Sequence, residues 1–187
     1  MPWKKLLALF SCMLLLTGCS KNRDPVQGAL DFRTALMEAG GCSFTAEVTA
    51  HYEDRLYTFT MTCVNDEEGT RLAVTEPEIL SGITAAVASD GTKLEFDGAI
   101  LDFGSMAGGR VSPVEAPWIL ATSWTGAYIS CAGLDGEQER VTYLRGYDEE
   151  ELTVDTWLLD GVPTYGEVSC DGVRWLAVSI SDFQMIG

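Results

Sequence analysis

The chain has 187 residues, of which 28 are acidic and 12 basic, giving a net charge of −16 at pH 7. A surface this negative is repelled by phosphate backbones, which excludes nucleic acid as a partner, and also by anionic lipid headgroups. The length fits one domain with its own core.

Lys4 and Lys5 make a basic start, Leu6 to Leu16 an apolar run, and Leu16-Thr17-Gly18-Cys19 follows. The run of roughly eleven apolar residues is too short for the ~20 that span a bilayer, so residues 1–18 read as a signal peptide. Small residues before a cysteine have the form of a bacterial lipobox. Cys19 is then the expected lipidation site, carrying palmitate-type acyl chains, and Cys12 is discarded with the leader. Residues 19–24 form a lipidated tether, which reaches only roughly 17 Å if extended. Several acyl chains anchor stably where one does so marginally. The expected location is the extracytoplasmic face of a bacterial cell membrane, or an outer membrane where the host has one, with the lipid as the contact.

Residues 25–187 read as a single domain. Asp24-Pro25 is a helix start, with an aspartate cap and proline at the first helical position. Ala29, Phe32, Leu36 and Ala39 then recur at helical spacing, and Gly40-Gly41 ends the run. From Cys42 the period becomes two. Phe44, Ala46, Val48 and Ala50 share one face, Thr45, Glu47, Thr49 and His51 the other, and Glu53-Asp54 turns the chain into Tyr57–Cys63. Strands at Arg71–Thr75, Ile83–Ser89, Lys93–Phe96 and Ile100–Phe103 follow, with a short turn or single helical turn at 76–82. Residues Gly104–Gly109 read as a flexible loop and Pro113–Trp124 as a second helix. A meander closes the chain: Tyr128–Cys131, Arg140–Arg145, Leu152–Leu159, Thr164–Cys170 and Arg174–Phe183, with Asp160-Gly161 and Asp171-Gly172 as hairpin turns. This is an α+β plan. A long antiparallel sheet twists and curls into an open half-barrel, whose concave side the N-terminal and central helices cover.

Besides Cys12 and Cys19, four cysteines remain: Cys42, Cys63, Cys131 and Cys170. An even number in an exported chain suggests two disulfides, with three pairings open. The preferred set is Cys42–Cys63, which the first hairpin brings nearly opposite, and Cys131–Cys170. No Cys-x-x-Cys occurs and His51 is the only histidine, so no metal site is expected.

The order of these features resembles the LolA/LolB-like superfamily of lipoprotein carriers. The resemblance is carried by the helix Pro25–Ala39, the paired strands after it, and Glu76-Pro77-Glu78-Ile79-Leu80-Ser81-Gly82-Ile83. It extends to the Ser89-Asp90-Gly91 turn, the central helix near Trp118, and the hairpin from Gly161-Val162-Pro163 to Phe183. It implies an open half-barrel with helices in its mouth and an apolar ligand, a lipid or a lipoprotein's acyl chain. Phe44, Val48, Phe59, Met61, Trp118 and Leu158 are the residues that would line such a hollow.

No motif names a reaction. Gly104-Ser105-Met106-Ala107-Gly108 places its serine one position too early for a nucleophile elbow. The acidic runs Asp66-Glu67-Glu68 and Asp148-Glu149-Glu150-Glu151 sit in turns and lack the order of a calcium loop. The expectation is a monomeric, non-enzymatic protein without cofactor that binds an apolar ligand in the sheet's concavity. The alternative is an envelope interaction or sensory module with no ligand cavity.

Overall fold

The computed structural model describes residues 24–52, 54–89, 91–96, 99–100, 106–148 and 151–187. The leader, Cys19, the tether up to residue 23, and Gly104-Ser105 lie outside these residues.

Helix α1 spans Pro25–Ala39. The Asp24 carboxylate accepts a hydrogen bond from the Val26 amide at 3.0 Å, and Gly40, at φ 75°, stops the helix. Only glycine takes that left-handed conformation without a steric penalty. Gly28, Ala29, Phe32 and Leu36 face inward.

The strands are β1 (Cys42–Tyr52), β2 (Arg55–Asp66), β3 (Gly69–Glu76), β4 (Thr84–Ala88), β5 (Gly91–Phe96) and β6 (Ala99–Ile100). After helix α2 (Ala116–Gly126) come β7 (Tyr128–Asp135), β8 (Gln138–Arg145), β9 (Leu152–Leu159), β10 (Val162–Cys170) and β11 (Val173–Met185). They form one eleven-stranded antiparallel sheet in the order β6-β5-β4-β3-β2-β1-β11-β10-β9-β8-β7. Two meanders are thus joined where the first strand meets the last, and the sheet ends in two separate edges. Asp160 and Gly161, and again Asp171 and Gly172, all have positive φ. Two-residue turns of that hand match strand twist and hold the last hairpins tight.

Helix α2 touches β1, β2 and β3 on one side and β8 and β9 on the other. In a flat sheet β3 and β8 would lie about 28 Å apart, far beyond the ~10–12 Å width of a helix. The sheet therefore curls around α2, and α1 packs against α2, β7 and β8. This is the expected open half-barrel with its concave side covered by two helices.

The concavity is filled. Trp124 of α2 is fully buried against the rings of Phe32 (5.8 Å between centroids), Phe44 (5.7 Å) and Phe183 (6.0 Å). Its indole N–H donates to the hydroxyl of Thr156, also fully buried, at 2.9 Å. Arg33 of α1 clamps the end of α2, donating to the carbonyls of Trp124 (2.8 Å), Ser123 (3.3 Å) and Ala127 (2.6 Å). A cation is favourable there because a helix C-terminus presents unpaired carbonyls and partial negative charge.

Two expectations need correction. The described part of the loop expected at Gly104–Gly109 is not loose: Met106 and Ala107 are buried and Met106 bridges Val111. Apolar side chains there gain more from entering the core than the chain loses in freedom. The first hairpin turns where expected, but its two cysteines are diagonal rather than opposite. Its turn closes between Tyr52 and Arg55, so Cys42 faces Asn65 and Cys63 faces Phe44. Turn length fixes register, which makes the two thiols diagonal neighbours.

Candidate functional site: clefts along the central helix

Six residues were expected to line an open hollow. Phe44, Val48, Met61 and Leu158 are instead packed in the core, none more than 3% exposed. Phe59 and Trp118 are partly buried against that core. The correction has a simple cause. In-facing apolar side chains show the same period whether a ligand or the protein's own helix covers them, and here α2 supplies the cover.

Open space lies at the rim of the hollow. One cleft of about 390 Å³ is bordered by Leu36 and Met37 of α1, the β2–β3 turn at residues 65–69, Ala88 and Ser89, and by Trp118, Thr122 and Thr125 of α2. A second, of about 740 Å³, is bordered by Thr122, Gly126, Ala127 and Tyr128, and by Leu144, Arg145, Gly146, Tyr147 and Glu151. Thr122 borders both, so both clefts reach α2 at this residue. Of the six expected lining residues, Trp118 alone borders either of them. Tyr128 and Tyr147 are 71% and 88% exposed, and Met37 61%, which gives the clefts aromatic and apolar margins.

Arg145 is the residue that the sequence reading passed over. Val141, Tyr143 and Arg145 alternate along β8, and the first two are fully buried. The third must therefore face the concave side, at the end of the strand. Its guanidinium lies over the Trp118 ring at 4.0 Å, and its Nη1 donates to the Thr122 hydroxyl and to the Ile119 carbonyl (3.4 Å). Burial holds it below the ordinary arginine range, while Glu115 opposes that shift. Its signal in the sequence was a charged residue at an inward position of a period-two pattern.

Several other charged side chains among the described residues are engaged with one another. Asp66 and Glu68 both pair with Arg71 across the β2–β3 turn. On the outer face of the second meander, Asp155 accepts from Arg140 (2.9 Å) and from Thr142, while Glu167 accepts from Arg174 (2.6 Å) and Tyr165 (2.9 Å). Trp157 belongs to that outer belt and donates to Asp135 at 2.8 Å. His51 is half-buried near the end of β1. No cluster of three or more His, Cys, Asp or Glu that could hold a metal occurs among the described residues. Nor is any helix among them long and apolar enough to cross a membrane.

Cys42, Cys63, Cys131 and Cys170 are free thiols. Burial pushes Cys42 up to about 12 and raises Cys63 in the same direction, with the Cys42 charge adding to the latter. The expected Cys131–Cys170 pair is excluded by strand order: β8 and β9 lie between β7 and β10. Strands so placed are about 14 Å apart, against the 4.4–6.8 Å that a disulfide usually spans. Cys131 is also exposed whereas Cys170 is buried.

No family model matches the chain, and no curated protein does. Among solved structures, the chain is similar to a LolA superfamily protein from Nitrosomonas europaea, with 8% identity, 82% of this chain and 93% of that one covered, and a TM-score of 0.42. It is similar to LprF from Mycobacterium bovis (13% identity, 87% and 95% covered, TM-score 0.42). A third is lipoprotein LppX from Mycobacterium tuberculosis (10%, 85% and 92%, TM-score 0.41). At these identities and scores none of them bears on what this chain binds.

Proposed function

We propose that the chain is a membrane-anchored extracytoplasmic lipoprotein without enzymatic activity, which shelters the alkyl part of an amphiphile in the clefts along α2. Residues 1–18 are its leader, Cys19 its acylated first residue, residues 19–24 its tether, and residues 25–187 its binding domain, acting as a monomer.

The observation that carries the binding reading is the pair of clefts bordered by Thr122, beside the partly buried Trp118 and the exposed Met37. Apolar margins on a concave surface favour an apolar guest, because its transfer from water is stabilising by about 0.8 kcal/mol per buried methylene. The location rests on the order of basic residues, apolar run, small residues and cysteine in 1–19.

The second reading, a protein-interaction or sensory module without a ligand, is favoured by the filled interior around Trp124. Native mass spectrometry of residues 19–187, purified without detergent, separates the two. Co-purified lipid, or quenching of tryptophan fluorescence by brominated alkyl chains, is the expected result. An empty protein whose fluorescence ignores such chains leaves the second reading. Labelling cells with an alkyne fatty acid tests the anchor: Cys19→Ser should abolish incorporation, and undiminished labelling would refute the assignment.

A further inference from the structure

Six other arginines lie among the described residues, and five of them have their charge answered by the protein. Arg71, Arg110, Arg140 and Arg174 pair with carboxylates, and Arg33 clamps the carbonyls at the end of α2. Arg55 is the remaining one, and it is exposed at the start of β2. Arg145 is half-buried, and no carboxylate among the described residues comes within ion-pair distance of it, although Glu115 acts on it electrostatically from farther away. In a chain with 28 acidic residues a partner would be easy to supply. Drawing a cation partly out of water without a contacting counter-ion is costly, so an arginine held this way by aromatic stacking and a hydroxyl is pre-set in one orientation.

Only one edge of the guanidinium is occupied. Nη1 serves Thr122 and Ile119, while Nε and Nη2 donate to no atom of the described residues. These two donors form the edge that grips a carboxylate bidentately. The group borders the 740 Å³ cleft together with Tyr128, Tyr147 and Thr122. Two residues deeper on the same face of β8, the fully buried Tyr143 hydroxyl also lacks a hydrogen-bond partner. One buried hydroxyl and two cleft-facing guanidinium donors thus lack a protein partner at this end of β8.

We propose that Arg145 is the head-group receptor of this cleft, and that the ligand is an amphiphile ending in a carboxylate, whose alkyl chain runs along α2 past Trp118. The proposal rests on the reading above that the clefts hold an alkyl chain. Glu151 borders the same cleft, so a single negative charge is admitted more readily than the double charge of a phosphate monoester.

The test uses residues 19–187 and three probes of equal chain length: palmitate, hexadecanol and hexadecyl phosphate. Binding is followed by calorimetry and tryptophan fluorescence at pH 8, below the micellar concentrations. Wild type should bind palmitate about 10–100-fold more tightly than hexadecanol, the worth of a charge-assisted bidentate contact. Hexadecyl phosphate should bind more weakly than palmitate. Arg145→Met should bring the palmitate-to-hexadecanol ratio close to one, and Arg145→Lys should keep only part of the preference because an ammonium has no fork. Equal wild-type affinity for palmitate and hexadecanol would overturn the head-group assignment while leaving the alkyl reading intact. A preference for the phosphate would overturn the choice of carboxylate. No binding of any probe would overturn both readings. If Arg145→Met fails to fold, the wild-type ratio of palmitate to hexadecanol decides alone.

Discussion

Trp124→Phe tests whether the hollow of the sheet is filled in solution. The substitution removes the indole N–H and leaves the buried Thr156 hydroxyl without its 2.9 Å partner. It also removes part of a ring packed on Phe32, Phe44 and Phe183. An unsatisfied buried polar group costs about 1–3 kcal/mol and the lost packing roughly 1 kcal/mol more, so the total is about 2–4 kcal/mol. For a domain of this size that lowers Tm by about 5–12 °C. Thr156→Val alone should cost about 1–3 kcal/mol, because it strands the indole donor instead. The double variant should cost at least about 1 kcal/mol less than the sum, since neither partner is then left unpaired. Urea unfolding followed by far-ultraviolet circular dichroism measures all three. A cost for Trp124→Phe below about 0.5 kcal/mol, or strict additivity, would mean that Trp124 does not plug the hollow and that the interior is open.

Other outcomes can be stated more briefly. Gly41→Ala would place a methyl group 2.1 Å from the Asn65 carbonyl oxygen at φ 155°; it should cost about 2–5 kcal/mol, against about 1 kcal/mol for Gly40→Ala, whose added carbon meets nothing. A denaturation midpoint for Gly41→Ala no lower than that of Gly40→Ala would contradict the packing at the α1–β1 junction. The Cys42 thiol is raised from 9.0 to about 12 by burial, so between those pH values the unfolded chain releases a proton that the folded chain retains. Its contribution to stability is complete below pH 9 and falls by about 1.4 kcal/mol per pH unit up to pH 12. Cys42→Ala should lessen the slope there by about 1.4 kcal/mol per pH unit, the buried Cys63 still contributing its own share, and an unchanged slope would show that the Cys42 thiol is not a source. Iodoacetamide at pH 8 should label the exposed Cys131 in the native protein and reach Cys42 and Cys63 only after unfolding. A native digest with Cys42 alkylated and Cys131 untouched would reverse the assigned burial.

The local elements were legible in the sequence because each depends on residues close along the chain. Asp24-Pro25 and Gly40 set the ends of α1, and the helix runs as expected over Pro25–Ala39. Alternation gave β1 and β9 their bounds, and Asp160-Gly161 and Asp171-Gly172 their turns. The α+β class and the curled open sheet followed from the number and order of those strands. What covers the concave face was not legible, because Phe44, Val48, Met61 and Leu158 show an inward period whether a ligand or Trp124 lies over them. The pairing of Cys131 with Cys170 failed for a related reason. Alternation says which face a thiol takes but not how many strands separate β7 from β10. Arg145 is the sharpest case. Its inward position on β8 could be read from Val141 and Tyr143, but its stacking on Trp118 and its place beside the clefts arise only when α2 is laid across the sheet. Periodicity and turn chemistry are properties of neighbours in the chain, whereas cavities and charge partners are set by segments far apart that curling and packing bring together.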